Sequence, residues 1–349
     1  MASIEEIFNS AHSKPCDFQS FLKSYAQSVG GIVNSYIPQS NNKDANFYLY
    51  DIFARYSKNA GKRHRPLICL AACEAVGGNV EKALSTASAI EHFHTAALIH
   101  DDIADDALLR RGEPCMHLTE GLGIAINCGD LGLSMVCGIV AEDKNLDSEI
   151  KVRVIQELYA MQKRTIEGQA LDIGWARDGR YDISEEDYMF MARHKTAFYS
   201  GAVPLALGAL IGGGSEEEIQ ALRAFGEASG LAFQIQDDIL NLVGKKEATK
   251  KDFRGDITEG KRTLITIHAL SHSNKKQRLI EILSSKEENP EVLAEAVEIM
   301  QESGSIDYAR QYAERLACEA KASLVKVLDE SLARTWLCSM ADWFVERLQ

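Results

Sequence analysis

The sequence is poor in proline, with six in 349 residues, so the residue that most often interrupts helices is scarce. It has no CxxC pair, because its eight cysteines are scattered at positions 16, 69, 73, 115, 128, 137, 318 and 338. That excludes a zinc ribbon and a thioredoxin-type site, and reduced, mostly buried thiols are expected. Cations are in deficit, 38 Lys+Arg against 51 Asp+Glu for a net charge of −13. A surface that coats nucleic acid needs the opposite sign, so no nucleic-acid partner is expected. Long apolar runs are missing too. The stretch from Thr196 to Ser215 carries no charge, but its apolar centre, Gly201 to Ile211, is short and holds Pro204 and Gly208. A membrane span needs roughly 20 mainly apolar residues, so a buried helix and no integral membrane association are expected. At the start of the chain, Glu5 and Glu6 stand where a secretory leader needs a basic stretch, and the Arg-rich character of a transit peptide is absent. A cytoplasmic location is expected.

What remains is ordinary for a folded chain, 46% hydrophobic and 26% charged, which rules out disordered and fibrous classes. Apolar residues recur at helical spacing, as in Leu67/Leu70/Ala71 and Val154/Leu158/Met161 with Gln156 and Lys163 outward. No strand alternation stands out. Breaks are predicted at Gly77-Gly78-Asn79, Arg111-Gly112-Glu113-Pro114, Asp178-Gly179-Arg180, Gly212 to Ser215 and Glu288-Asn289-Pro290. Roughly a dozen helices in one all-α domain spanning 1–349 follow from these breaks, with no linker dividing them. The Lys-rich segment from Lys245 to Lys251 is expected to be a mobile loop.

Two acidic patterns are alike. Ile99-His100-Asp101-Asp102-Ile103-Ala104-Asp105 returns as Ile235-Gln236-Asp237-Asp238-Ile239-Leu240-Asn241. Asp101 and Asp105 are one helical turn apart, so both carboxylates can point at one spot. Such carboxylates at the end of an apolar helix call for a cation, and hard oxygen ligands with few protein donors suit Mg²⁺ bridging to a phosphate. A solvated acidic helix end is the plain alternative. Basic clusters occur nearby, Arg110-Arg111-Gly112 directly after the acids and Gly61-Lys62-Arg63-His64-Arg65-Pro66 upstream. Guanidinium forks and ammonium groups bind phosphate oxygens, so acids and bases together suggest a metal-bridged diphosphate and a second, metal-free phosphate site. His94 lies seven residues before Asp101, on the same helical face.

Through GKRHRP (61–66), HDDIADDALLRRG (100–112), GQALDI (168–173), KTA (195–197), FQIQDDILN (233–241) and GDITEGKRTL (255–264), the chain resembles the trans-isoprenyl diphosphate synthases of the polyprenyl synthetase family. The likeness covers about 50–265, and the segments from 266 to 349 would be closing helices. It implies an all-α helical bundle of the isoprenoid synthase type around a central elongated cavity, and a homodimer. It implies an enzyme joining isopentenyl diphosphate to an allylic diphosphate. Asp101, Asp105 and Asp237 would hold about three Mg²⁺ ions on the allylic diphosphate, with Asp102 and Asp238 supporting. Asn241 departs from the third Asp that many members carry and would stand with the substrate-binding residues. Lys62, Arg65, His94 and Arg111 would hold isopentenyl diphosphate. Arg110, Lys195, Thr196, Gln234, Lys251 (with Lys250 beside it) and Lys261 would face the allylic substrate.

The length of the product would be set on the helix before Asp101, where one turn rises about 5.4 Å, close to an isoprene unit. Ala97 and Ala96 are too small to stop a farnesyl chain, and Phe93, one turn deeper, is the expected floor. Geranylgeranyl diphosphate is the expected product. Farnesyl, geranylfarnesyl or longer products are the alternatives, and a terpene cyclase or a silent partner subunit are more distant ones.

Overall fold

Helices begin and end where the local chemistry demands it. In the computed structural model, which describes residues 3–13, 17–58, 61–244, 254–286 and 288–346, each expected break separates two elements. Gly77 (φ 79°) closes the helix His64–Ala75, and the Asn79 side chain accepts from the Glu81 amide. Gly213, in the left-handed region at φ 82°, ends Val203–Gly212. Asn289 caps Pro290–Glu302, with proline in the first turn where its missing N–H costs nothing. The helical segments outnumber the expected dozen because some are short and because π-helical turns interrupt others. Asn46–Tyr50 lies between Lys43–Ala45 and Asp51–Lys58, and Arg193–Ala202 between Glu185–Ala192 and Val203–Gly212.

The class is all-α, with one small exception to the expectation of no strands. Leu109–Arg110 and Glu113–Pro114 pair antiparallel around Arg111 and Gly112. Both loop residues have positive φ, 57° and 86°, which is what a two-residue type I′ hairpin requires. The expected break at this point is therefore a built turn. The segment 245–251 lies outside the described residues, as does Cys16. Among the described residues the other cysteines form no disulfide; Cys69, Cys73, Cys115 and Cys128 are buried and Cys318 is exposed.

The chain's contacts group into two compact units. The first comprises Met1–Gln162, Tyr199–Gly226 and Lys321–Met340, the second Lys163–Phe198, Glu227–Ala320 and Ala341–Gln349. In the first unit, the helices His64–Ala75 and Val203–Gly212 meet backbone to backbone. A Cβ on Gly208 would lie 2.0 Å from the Cys69 carbonyl oxygen. The uncharged stretch flagged in the sequence is thus a core helix, buried from Val203 to Ile211. Among the described residues, one helix has the length and composition to cross a membrane, Leu122–Glu142. It packs on Leu84–Ala104 at Gly132, where a Cβ would stand 2.7 Å from the Ala96 Cβ and 2.8 Å from the Phe53 ring. Phe8, Phe21 and Trp336 form an aromatic cluster, with Phe21 and Trp336 stacked at 4.1 Å. In the second unit, Leu231, Ile235 and Ile239 of Glu216–Val243 join Met189, Ile265, Leu279 and Ile299 in a separate core.

Two outcomes follow from this packing. Gly208→Val places a branched side chain against the Cys69 carbonyl, and overpacking of this kind costs about 3 kcal/mol or more. The thermal midpoint should fall by about 5 °C or more, measured by calorimetry, and an unchanged midpoint would show that the two helices separate freely. His92 is fully buried, its Nε2 at 3.0 Å from the Val33 carbonyl and its Nδ1 without a hydrogen-bond partner among the described residues. Burial pushes its pKa down to about 4. Because the unfolded imidazole titrates near 6.5, the unfolded chain binds the extra proton between those values. Stability from this group is complete above about pH 6.5 and is lost, by about 3 kcal/mol, as pH falls toward 4. Urea midpoints at pH 7 and 4.5 should therefore converge in His92→Gln relative to the parent chain. An identical pH dependence in both proteins would assign the acid sensitivity elsewhere.

Candidate active site

In the first unit, the helix Leu84–Ala104 is buried over most of its length and ends in acids. The Asp105 amide closes it by donating to the Asp101 carbonyl at 2.9 Å. Carboxylates at a helix C-terminus oppose the macrodipole, so this end attracts cations. Part of that demand is met inside the fold. Asp102, 1% exposed, accepts from the Tyr56 hydroxyl at 2.7 Å on one oxygen and from Arg110 Nε at 2.6 Å on the other. Burial, then the Asp102 charge, raises the Tyr56 pKa, which keeps the phenol a donor. Neighbouring helical residues diverge by about 100°. Asp101, whose side chain is 22% exposed, approaches Arg110 only to 3.7 Å, and Asp105 is half-buried. No group of three or more His, Cys, Asp or Glu side chains fit to hold a metal forms among the described residues. Mg²⁺ asks for less, one or two carboxylates completed by water and substrate phosphate. Asp101 and Asp105 fit that sparse donor set, whereas Asp102 has both oxygens engaged.

The basic motif lies in the same unit. Lys62 is exposed, but Arg63 turns inward, 5% exposed, in the left-handed region at φ 53°. Its guanidinium donates to Glu91 at 2.7 Å and to the Ser57 carbonyl. A Cβ on Gly61 would lie 3.2 Å from guanidinium nitrogens of both Arg63 and Arg111, so glycine is what lets these cations crowd together. Glu91, 2% exposed on its side chain, is the resident counter-charge. Burial lowers the Arg111 pKa and Glu91 opposes that shift. Arg65, 4% exposed, donates through Nε and Nη2 to the Ser200 hydroxyl and through Nη2 to the Tyr199 hydroxyl. Burial, then Arg65 and Arg111, hold His94 far below its ordinary pKa, so the imidazole is neutral. Buried cations in excess over carboxylate make a region that suits an anion with several oxygens.

The chain-length candidates separate. Phe93 is 1% exposed and meets the Tyr199 ring edge-on at 5.5 Å. Ala97 is half-buried, while Ala96 is fully buried against Gly132 and Phe53. Enlarging residue 96 therefore meets the Leu122–Glu142 helix first.

In the second unit, Gly168 and Gly230 let neighbouring helices approach the π-helical stretch Arg193–Ala202. A Cβ on Gly168 would be 2.2 Å from the Lys195 amide, and one on Gly230 2.8 Å from the Ala197 Cα. Lys195 is ion-paired with Asp172. Thr196 donates to Gln234 Oε1 at 2.5 Å, and Gln234 Nε2 donates to Asp238 at 2.8 Å. The second Asp238 oxygen accepts from Tyr188 at 2.8 Å. Burial, with Asp256 adding to it, raises the Asp238 pKa against these two donors. Asp237 is half-buried beside it. The Asn241 side-chain oxygen accepts from the Asp256 amide at 3.2 Å, and Lys261 pairs with Glu259 at 2.6 Å. Lys251 lies outside the described residues.

Sequence reading missed Tyr56, Glu91, Tyr188, Tyr199 and Ser200. Glu91 alone had a visible signal, an acid inside an apolar helix. The others are ordinary residues whose place is fixed by distant parts of the chain.

A family model for polyprenyl synthetase matches residues 47–300. A short chain isoprenyl diphosphate synthase of Methanothermobacter thermautotrophicus is 43% identical over 289 residues, 82% of this chain and 86% of that protein. The crystal structure of a geranylgeranyl pyrophosphate synthetase from Pyrococcus horikoshii is similar with a TM-score of 0.86 at 33% identity, covering 95% of this chain and 98% of that one. A geranylgeranyl pyrophosphate synthase from Corynebacterium glutamicum, solved with isoprenyl diphosphate and magnesium, is similar with a TM-score of 0.79 at 28% identity, covering 99% of this chain and 100% of that one. With most of its length matched by the model and by these relatives, the chain belongs to the polyprenyl synthetase family.

Proposed function

We propose that this chain is a trans-prenyltransferase that condenses isopentenyl diphosphate with an allylic diphosphate, head to tail, to give geranylgeranyl diphosphate. The observation that carries this reading is that one member of the family keeps both acidic pairs together with the Lys62, Arg65, His94 and Arg111 cluster. A cyclase has no use for a second diphosphate pocket, and a silent subunit has no use for either set. The geranylgeranyl product is supported by the similarity to synthases of that name and by the small residue at Ala97 above Phe93.

Asp101, Asp105 and Asp237 are the proposed ligands for divalent ions, Mg²⁺ by their donor chemistry and about three in number by family likeness. Bound ions supply charge neutralisation to a departing diphosphate. Arg110, Lys195, Lys251 and Lys261 hold its other oxygens, and Asn241 acts through the segment it caps. Lys62, Arg65, Arg111 and the neutral His94 orient isopentenyl diphosphate without a metal. As the allylic carbon–oxygen bond breaks, positive charge develops on carbon. The Thr196 hydroxyl donates its hydrogen bond to Gln234 Oε1, so its oxygen lone pairs remain to stabilise that charge as a dipole. The isopentenyl double bond attacks the cationic carbon in a water-excluded site, and a proton is lost to the released diphosphate.

Residues 1–349 are read as a single catalytic domain of a cytoplasmic homodimer without integral membrane association. An exposed apolar stripe at seven-residue spacing, Val152, Tyr159, Ile166 and Ile173 on Ser148–Arg177, supports pairing with a second copy.

Incorporation of labelled isopentenyl diphosphate with dimethylallyl, geranyl and farnesyl primers tests the whole reading, and no elongation with any primer would overturn it. Asp101→Ala should lower kcat by roughly 10²-fold or more and weaken Mg²⁺-dependent binding of the allylic substrate. Full activity would remove Asp101 from the metal site. Phe93→Ala should lengthen the product and Ala97→Phe should shorten it, read by chromatography of the dephosphorylated chains. Unchanged lengths in both would place the floor elsewhere.

A further inference from the structure

We infer that Tyr199 and Ser200 are positioning residues for the isopentenyl diphosphate pocket, fixing Arg65 and His94 from behind. The inference rests on the functional reading above, which gives Arg65 and His94 to that substrate. Neither Tyr199 nor Ser200 carries charge or belongs to the motifs that define the family likeness.

The geometry lies within the first unit. Arg65 is 4% exposed and Ser200 2%. The Ser200 hydroxyl accepts from Arg65 Nε at 3.2 Å and from Nη2 at 2.8 Å. The Tyr199 hydroxyl accepts from the same Nη2 at 3.1 Å, and the guanidinium carbon stands 4.7 Å from the centre of the Tyr199 ring. Two of the three guanidinium nitrogens are thus committed to one edge. Nη1 makes no hydrogen bond among the described residues and is the arm left for a phosphate oxygen. A guanidinium is a rigid plane, so tying down one edge aims the other.

Tyr199 does the same for His94. The two rings are near-parallel, with centroids 5.9 Å apart and planes 29° from each other. The Tyr199 oxygen accepts from Arg65, so its own proton is available for His94 Nδ1, at a long 3.5 Å. That bond selects the tautomer with hydrogen on Nε2, a donor for an anion. Arg65, Tyr199 and His94 therefore form a directed chain of donors ending on the ring nitrogen opposite Nδ1. Tyr199 is in turn held by Phe93, edge-on at 5.5 Å. Tyr199 and Ser200 sit in the π-helical stretch Arg193–Ala202, and the wider turn of a π-helix sets successive side chains at angles an α-helix does not offer.

Steady-state kinetics of the full chain test this. Tyr199→Phe keeps the ring and removes the hydroxyl; Ser200→Ala removes the acceptor of two bonds. Each should raise the KM for isopentenyl diphosphate about tenfold, as loss of hydrogen bonds to a charged group does. The KM for geranyl diphosphate and the thermal midpoint should stay at parent values, and Ser200→Thr should recover most of the loss. An unchanged KM for isopentenyl diphosphate in both variants overturns the inference. So does an equal rise for both substrates with a lowered midpoint, which marks a role in stability alone. Arg65→Met separates the two levels. If it leaves the KM for isopentenyl diphosphate unchanged, the pocket assignment fails; if it raises that KM while the Tyr199 and Ser200 variants do not, only the positioning role fails.

Discussion

A buried carboxylate with both oxygens taken is the constraint on which each acidic motif depends. Asp102 is saturated by Tyr56 and Arg110, and Asp238 by Tyr188 and Gln234. In each Asp-Asp pair the second residue is the internal one, and in each a tyrosine supplies one donor. The consequence is geometric. Adjacent helical positions diverge by about 100°, so locking the second carboxylate inside the unit fixes the direction of the first. The similarity between 99–105 and 235–241, weak as a sequence repeat, is thus stronger as a bonding pattern. It gives the two adjacent acids different tasks, one bonded inside the unit and one aimed by it.

Holding charge inside an apolar helical protein is costly unless each ion is paired, and the first unit answers with few carboxylates. Glu91 and Asp102 sit among Arg63, Arg65, Arg110 and Arg111, so cations outnumber buried acids there. The surplus of positive charge there suits an anion with several oxygens. Arg63 is a structural member of this group, since its guanidinium is spent on Glu91 and the Ser57 carbonyl. Lys62 on one side of it is exposed, and the inward Arg65 guanidinium on the other is held by Ser200 and Tyr199 instead. One basic motif therefore places neighbouring cations in three different settings.

Periodicity and breakers made the helical class and the element boundaries legible, because proline, glycine and capping side chains act over a few residues. Asn79, Gly213 and Asn289 are cases in which sequence alone names the stop or start. The acidic and basic motifs were legible as chemistry for a related reason, since several charges in a short apolar context have few uses. What lay beyond the sequence was non-local. Tyr56 meets Asp102 across 46 positions, Tyr188 meets Asp238 across 50, and Ser200 meets Arg65 across 135. No local rule singles out these hydroxyls. The hairpin at Arg111-Gly112 escaped for the opposite reason: two-residue strands are too short for alternation to show. The apolar helix Leu122–Glu142 did not stand out in the sequence, and Leu122 and Ile126 on it are exposed.

The glycines complete the physical account, because they decide how closely cations and helices approach. Gly61 admits two guanidinium groups into one place, and Gly168 admits the Lys195 backbone against Ser148–Arg177. At Gly168 a single methyl group would collide with the Lys195 amide at 2.2 Å, whereas at Gly61 it would crowd the guanidinium nitrogens at 3.2 Å, a contact that these flexible side chains can relieve. A lysine amine or guanidinium sits at the end of a flexible stem, so the placement of the backbone behind it sets the region that it can reach. Close-packed backbone, made possible by residues with no side chain at all, is what turns flexible cations into directed ones.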